Sequence, residues 1–227
     1  MSWFDLRPAV RAARPCVWLV AMLGLCACAA KRNYDVFYAH QPRSILVVPV
    51  LNDTTEVNAP AVYMTTVTVP LAERGYYVFP IYLTDALLRD LGLPEAGLVH
   101  QLPPQRFFDL FGADAVLFVT IKDWSTKYLV VQSSTVVQLQ YVLRDTRTGT
   151  VLWEHTQTVS RNSGQSNDPI AMLVAAIIHY AIAEMTQVDY RPLAAQANSL
   201  AFVTAGSGLP AGPYHPQYGS DRDRFPP

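Results

Sequence analysis

The chain has 227 residues, is 51% hydrophobic and carries a formal net charge of −1, so it can form one ordinary domain with a large apolar core. It contains no extended cluster of lysines and arginines, which argues against nucleic acid as a partner. All three cysteines lie within the first 28 residues, so no disulfide is expected in the folded part.

Residues 1–27 are typical of a secretory signal peptide. Arg7, Arg11 and Arg14 come first and are followed by the uncharged run CVWLVAMLGL. Even extended through Ala30, the apolar stretch reaches about 15 residues, whereas a membrane-spanning helix needs about 20. Cleavage after residue 27 would leave 200 residues with 14 Lys and Arg against 17 Asp and Glu, a net charge of −3.

The end of this segment fits the cleavage rule of bacterial lipoproteins, with an aliphatic residue three places before the acylated cysteine and a small residue directly before it. Cys28 fits, because Leu25 and Ala27 occupy those places. Cys26 does not, because bulky Leu25 directly precedes it. The alternative is ordinary signal-peptide cleavage at the ACA of residues 27–29.

Acylation of Cys28 would fix the mature protein to a membrane. Each buried methylene contributes about 0.8 kcal/mol, so two or three acyl chains such as palmitate give nearly permanent anchoring. Ala29 stands where inner-membrane lipoproteins carry aspartate, and this resemblance to sorted lipoproteins implies the outer membrane. The orientation, towards the periplasm or the cell surface, stays open.

The folded part begins with SILVVPV at 44–50, an apolar run that predicts a strand buried on both faces. Asn58 and Pro60 can cap and open a helix to Gly75, which Pro70 must kink or split. Three further elements are expected: a strand at 76–82, a helix at 84–91 capped by Thr84, and a helix at 104–111 ended by Gly112.

The next segment predicts strands. DAVLFVTIKDW is a buried strand, and residues 127–145 have the pattern of one long strand. RDTRTG at 144–149 predicts a turn, so residues 127–159 should form an antiparallel pair. Alternation places Val151 and Trp153 on one face of that pair.

A last amphipathic helix is predicted where Asp168 caps and Pro169 opens a segment to about Gln187. Its core-facing residues are Ile170, Leu173, Val174, Ile177 and Ile178. The reverse face is small and mostly apolar, with Met172, Ala175, Ala176, His179 and Ala183. Either the sheet and crossover helices of the same chain cover this face, or it is an interface with a second copy or a partner.

These elements predict a single α/β (α+β) domain at 42–190, with a mixed sheet, a long antiparallel hairpin and packing helices. Residues 28–41 would be a tether after the acylated cysteine. Residues 191–227 contain six prolines and four glycines without a periodic apolar pattern, which predicts a disordered tail.

Four stretches carry a family resemblance: ILVVPVLNDTTEVNAP, PLAERGYYVFP, FGADAVLFVTIKDW and YVLRDTRTGTVLWEHT, within residues 45–156. They resemble the bacterial lipoproteins typified by a neisserial genome-derived vaccine antigen, a family whose domain has no established function. LRDTRTGTVLW is also similar, more loosely, to the curli-secretion lipoprotein CsgG and to the amino-terminal domain of TolB. The resemblance implies a TolB amino-terminal-domain-like fold, the outer membrane, and a transport or assembly role beside CsgG-like lipoproteins. It carries no active site.

The residues themselves predict neither a metal site nor a cofactor. The histidines outside the signal peptide are His40, His100, His155, His179 and His215, and none pairs with another at metal-ligand spacing. Glu154 and His155 are neighbours, which on a strand places them on opposite faces.

Other catalytic or binding patterns are equally weak. There is no G-x-S-x-G elbow, and NSGQS lies in a polar segment without the apolar flanks of that motif. The loop after the first strand contains Asp53 and Glu56 and no glycine, so it would repel a phosphate. Lys122 and Asp123 could line a groove, although a charged pair at a strand end is usually solvated.

Two classes of function follow. The first is a non-enzymatic outer-membrane lipoprotein that binds or assembles components of an envelope secretion or transport complex, its partners being itself or CsgG-like lipoproteins. The second is a periplasmic solute-binding protein or enzyme of unfamiliar type, which a deep pocket with converging polar groups would mark.

Overall fold

The computed structural model describes residues 34–129, 132–163 and 188–225. Its elements, in chain order, are α1 (Asp35–His40), β1 (Ser44–Val47), β2 (Leu51–Asn52), α2 (Ala59–Met64), α3 (Thr68–Glu73), β3 (Tyr77–Val78), α4 (Ile81–Asp90), α5 (Ala96–His100), α6 (Gln105–Phe111), β4 (Ala115–Leu129), β5 (Gln132–Asp145), β6 (Val151–Ser163) and α7 (Arg191–Val203). The predicted helix at 168–187 lies outside the described residues.

The described strands form one mixed sheet in the order β3-β1-β4-β5-β6, with β2 also paired to β4. β1 runs parallel to β3 and β4, and β2 runs parallel to β4. β4, β5 and β6 are antiparallel neighbours. This is the predicted α/β (α+β) architecture, with parallel strands at one side and a long antiparallel meander at the other.

The sheet is covered on both faces at β1, as the continuous apolar run predicted. Ile45 and Val47 belong to the larger core with α2, α3 and α7, and Leu46 and Val48 belong to a second core with α4, α5 and α6. All four side chains are at most 1% exposed. Part of the outer face of the meander is open to solvent, since Gln140 is exposed and Val142 and Arg144 are half-buried.

The turn predicted by RDTRTG is confirmed, and the side chains of this segment stabilise it. The Asp145 carboxylate accepts hydrogen bonds from the backbone N–H groups of Arg147, at 3.0 Å, and Thr148, at 2.7 Å. Gly149 follows with φ of +77°, a conformation that glycine adopts without strain.

Two details of the meander differ from the prediction. The expected single strand at 127–145 is divided between β4, which ends at Leu129, and β5, which begins at Gln132. A register shift leaves Leu152 without a cross-strand partner, so Leu152 and Trp153 are both buried while Val151 is exposed. A bulge of this kind breaks the simple alternation on which the prediction depended.

The helix predicted from Asn58 to Gly75 is split into α2 and α3. Pro70 is the third residue of α3, where its missing N–H costs nothing because the first turn has no intrahelical acceptor for it. The strand expected at 76–82 shortens to β3, because Pro80 opens α4 at Ile81. α5 lies between the helices predicted at 84–91 and 104–111 and was not among the predicted elements.

The prediction of a disordered tail after residue 190 is wrong. Residues 191–203 form α7, in which Leu193, Ala197 and Phe202 are at most 2% exposed. Residues 204–225 then return across the domain and bury Leu209 and Phe225. The helical period was present in RPLAAQANSLAFV, but small alanines mark the buried face weakly beside the prolines and glycines that follow.

The prediction of a tether through residue 41 is also wrong for residues 34–41. Tyr34 and Phe37 are 1% and 3% exposed, and α1 occupies 35–40. The described domain therefore spans 34–225 rather than 42–190.

Candidate functional site

The site residues predicted from the sequence lie outside the described residues. Cys28, the predicted acylation site, precedes residue 34. The predicted interface residues, Met172, Ala175, Ala176, His179 and Ala183, fall between β6 and α7. The described surface carries other features that could bind a partner or a ligand.

One such feature is a set of exposed apolar side chains on α4 and on the residue that ends it, which we call the leucine stripe: Tyr82, Leu83, Leu87 and Leu91. Their exposed fractions are 82%, 62%, 38% and 48%. Leu83, Leu87 and Leu91 follow one another at four-residue spacing, so they lie along one side of the helix. The core-facing side of α4 carries Thr84 and Leu88, which are 3% and 0% exposed and lie about 100° round the helix from Leu83 and Leu87.

Charged residues border the leucine stripe. Asp85 and Arg89 form an ion pair of 2.8 Å between the Oδ2 and Nε atoms, and Asp90 follows. An exposed row of large apolar side chains with a polar rim is typical of a surface that contacts a partner. The segment IYLTDALLRDL is apolar around most of the helix. This pattern was the sequence feature that could have predicted an exposed apolar surface here.

A second feature is a groove of about 280 Å³ between the outer face of the sheet and the residues that join α5 to α6. The strands contribute Phe118, Thr120, Gln140 and Val142, which pair as Phe118 with Val142 and Thr120 with Gln140. The remaining lining residues are His100, Leu102, Pro104 and Arg144.

Arg144 is the distinctive group in this groove. It is half-buried at the end of β5, and within the described part of the chain no hydrogen bond or ion pair reaches its guanidinium. Arginine stays charged in proteins and presents planar donors that match a carboxylate. The groove thus combines a cation, an amide and a hydroxyl with the apolar surface of Phe118 and Val142.

His100 is held at the rim of the groove. Its Nε2 lies 2.9 Å from the carbonyl oxygen of Pro49, and its ring packs edge-to-face on Phe118 with 5.0 Å between centroids. Burial lowers the pKa of His100 below its ordinary value, and the hydrogen bond to Pro49 opposes that effect. Its immediate role is to attach α5 to the end of β1.

The other candidates from the sequence are engaged in local contacts. His155 stacks on Trp153, with 5.7 Å between ring centroids. Lys122 forms an ion pair of 2.7 Å with Asp53, and Asp123 accepts a hydrogen bond from the Ser125 hydroxyl.

The described residues contain neither a metal-binding cluster nor a membrane-spanning helix. His, Cys, Asp and Glu side chains of the described ranges do not gather in groups of three or more that could hold a metal ion. Nor does any helix in the part covered by the structure have the length and apolarity to cross a bilayer.

Comparison with known proteins identifies relatives of this chain. The profile of the GNA1162-like lipoprotein family matches residues 32–214. The lipoprotein NMB1124/NMB1162 of Neisseria meningitidis serogroup B is 32% identical over 200 residues, which cover 86% of this chain and 93% of that protein.

Solved structures agree with this relationship. The crystal structure of lipoprotein GNA1162 from Neisseria meningitidis matches at a TM-score of 0.53 and 34% identity, covering 62% of this chain and 99% of that one. The carboxy-terminal domain of LpoB from Salmonella enterica matches at a TM-score of 0.37 and 22% identity, covering 52% and 84%. The second likeness is too weak to bear on function. With its mixed six-stranded sheet and packing helices, this chain belongs to the GNA1162-like family of lipoproteins.

Proposed function

We propose that this protein is a non-enzymatic lipoprotein of the outer membrane, anchored by acyl chains on Cys28, and a binding or assembly component of an envelope secretion or transport complex. The observation that carries the proposal is the leucine stripe on α4. Contact of three leucines and a tyrosine with water is unfavourable in free energy. Binding of a partner would bury these side chains and remove that unfavourable contact.

The rim of the leucine stripe favours a protein partner over a lipid surface. Arg89 is already paired with Asp85, and Asp90 leaves an unbalanced negative charge beside the stripe. An anionic phospholipid surface would repel that charge, whereas a protein can offer an apolar groove with a basic border. We assign the stripe to another envelope lipoprotein with such a groove.

The test is to replace Leu83 and Leu87 together by serine and to purify the acylated protein with its partners from membranes in mild detergent. Both side chains are exposed, so the stability of the domain should change by less than about 0.5 kcal/mol per site. Partner recovery should fall by an order of magnitude or more, since hot-spot residues contribute about 2 kcal/mol each.

Val57→Ser is the matched control, because Val57 is 85% exposed and lies outside α4. It should leave partner recovery unchanged. Recovery of the same partners at wild-type yield with the Leu83→Ser, Leu87→Ser variant would overturn the proposal. If the protein recovered through the stripe were a second copy of this chain, the assignment to another lipoprotein would be wrong.

The groove at Arg144 favours a second candidate function, binding of a small carboxylate solute. Its lining offers one charged partner for a carboxylate and an apolar wall for a short chain. Hexanoate is a suitable probe, with binding followed by chemical-shift changes. Arg144→Gln should abolish saturable binding, and Arg161→Gln, at an exposed position on β6, should not. Equal binding by both variants would exclude the groove.

A further inference from the structure

The link between the acylated cysteine and the folded domain is shorter than the predicted tether of residues 28–41. Tyr34 is already fixed in the fold, because its hydroxyl donates to the carbonyl oxygen of Gly208 at 2.7 Å and its ring lies 5.5 Å from that of Phe225. Only residues 28–33 separate Tyr34 from the acylated end. Six residues span at most about 20 Å when fully extended. Tyr34 must therefore lie within about that distance of the bilayer surface.

The surface near Tyr34 carries exposed apolar side chains. Leu200 and Val203, one turn apart at the end of α7, are 42% and 48% exposed, and Val36 on α1 is 43% exposed. The same region is tied to Tyr34 by Gly208, whose N–H donates to the carbonyl oxygen of Thr204 at 2.7 Å.

Two cations lie beside these apolar residues. The N–H of Gly206 donates to the carbonyl oxygen of Arg224 at 2.8 Å, and Arg224 reaches the carbonyl oxygen of Val203 at 3.5 Å. Arg222 lies over the ring of Tyr38, at 4.8 Å from its centroid. Both arginines are exposed, as are the acidic side chains of Asp35 and Asp223. Lys31 and Arg32 in the short link make the total charge of this neighbourhood positive.

We propose that the anchor-side face, defined by Val36, Leu200, Val203, Arg222 and Arg224, docks on the anionic phospholipid surface of the membrane that holds the acyl chains. This inference depends on acylation at Cys28 in the proposed function. Basic residues near an anionic bilayer contribute about 1 kcal/mol each, and apolar side chains beside them can enter the headgroup region. A link of six residues keeps the face at a high effective concentration, so a weak surface affinity suffices.

Docking through this face has a consequence for the leucine stripe. α4 packs on the sheet face that carries Leu46 and Val48, whereas α7 packs on the opposite face. The stripe is thus presented away from the anchor-side face, and a partner can reach it while the domain lies on the membrane.

The experiment uses the acylated protein in vesicles of phosphatidylethanolamine and phosphatidylglycerol that contain a lipid with a headgroup quencher. Fluorophores are attached at Ser199→Cys, exposed beside Leu200, or at Tyr82→Cys on α4 as the control. Acylation consumes the thiol of Cys28, so each label is unique. Quenching should be several-fold stronger at position 199 than at position 82. Equal quenching at both positions would overturn the proposal.

A longer link distinguishes affinity of the anchor-side face for lipid from mere confinement of the domain near the membrane by the short link. Insertion of about 20 Gly and Ser residues between Arg32 and Asn33 allows the domain to leave the surface. Quenching at position 199 should persist at low salt and decrease at high salt, and Arg224→Gln should lower the docked-to-free ratio about fivefold. Loss of quenching at low salt on lengthening alone would show that the face has no affinity for lipid and would overturn the proposal.

The outcome is distinguishable from a failure of the proposed function. Without acylation at Cys28, the protein would be absent from the vesicles altogether. An incorrect assignment of the leucine stripe would show as wild-type partner recovery with the Leu83→Ser, Leu87→Ser variant and would leave the quenching pattern unchanged.

Discussion

Arg74 and Asp221 lie 147 positions apart in the chain and form a buried ion pair, with 3.2 Å between Nη2 and Oδ2. Their side chains are 5% and 2% exposed. Arg74 also donates to the carbonyl oxygen of Leu209 at 2.6 Å, and Asp221 accepts from the N–H of Ala211 at 2.7 Å. Burial lowers the pKa of Arg74, and the charge of Asp221 opposes that shift. The pair fixes the returning carboxy-terminal segment to the end of α3.

Asp221→Ala should destabilise the domain by about 3 kcal/mol or more, because it leaves the Arg74 guanidinium buried without its counter-charge. Unfolding in urea, followed by circular dichroism, measures the effect. Asp223→Ala is the control, since Asp223 is exposed two residues away. Similar stabilities for the two variants would show that the buried pair does not hold this segment.

Truncation after Gln196 should unfold the domain or lower its melting temperature by well over 10 °C. The deletion removes Ala201, Phe202, Leu209 and Phe225, which are at most 1% exposed. Loss of one large core side chain typically costs about 3 to 5 kcal/mol, so several together exceed the stability of an ordinary domain. If residues 191–227 were the disordered tail that the composition predicts, the deletion would leave the stability unchanged. An unchanged melting temperature would support the disordered tail instead.

Asn198 connects α7 to the sheet through a buried network. It accepts a hydrogen bond from the Tyr141 hydroxyl at 2.8 Å and donates to the Thr66 hydroxyl at 3.0 Å. Burial raises the pKa of Tyr141 well above its ordinary value, so the hydroxyl remains a donor. Tyr141→Phe and Asn198→Ala should each cost about 1 to 3 kcal/mol. Their double variant should lose less than the sum, and strict additivity in a double-mutant cycle would contradict the coupling.

Stability should fall as the pH decreases below 6.5, in part because of His100. Its folded-state pKa is lowered, chiefly by burial, so the folded protein binds fewer protons than the unfolded chain in that window. The contribution of the neutral ring is fully present above pH 6.5 and is lost as the pH falls through the folded pKa. Urea unfolding between pH 7.5 and about 5 should show a smaller pH slope for His100→Gln than for His40→Gln. Equal slopes would exclude His100 as the source.

Cys28→Ser should abolish labelling with a palmitate analogue and move the protein from the membrane fraction to soluble or unprocessed forms, because Leu25 and Ala27 place the cleavage before Cys28. Cys26→Ser should do neither. Labelling that survived Cys28→Ser and disappeared with Cys26→Ser would move the acylation site to Cys26.

The sequence by itself determined the elements whose signals are local. SILVVPV predicted a strand buried on both faces, and RDTRTG predicted the turn where the Asp145 carboxylate and Gly149 act within a few residues. The apolar patterns of the sheet strands predicted the fold class. A strand that is buried on both faces is visible in its own sequence as a continuous apolar run. The quoted family motifs lie in these same segments.

Only the tertiary structure decided which weakly patterned segments belong to the domain. α7 buries Ala197 and Ala201 in the core and is bonded to the sheet through Asn198. The segment after α7 is held by the ion pair of Arg74 and Asp221. The partners of these residues are more than 50 positions away, so no local pattern contains them. The leucine stripe could also be identified only from the tertiary structure. The sequence of α4 is apolar around most of the helix, so it does not show which apolar side chains are packed in the core and which are exposed.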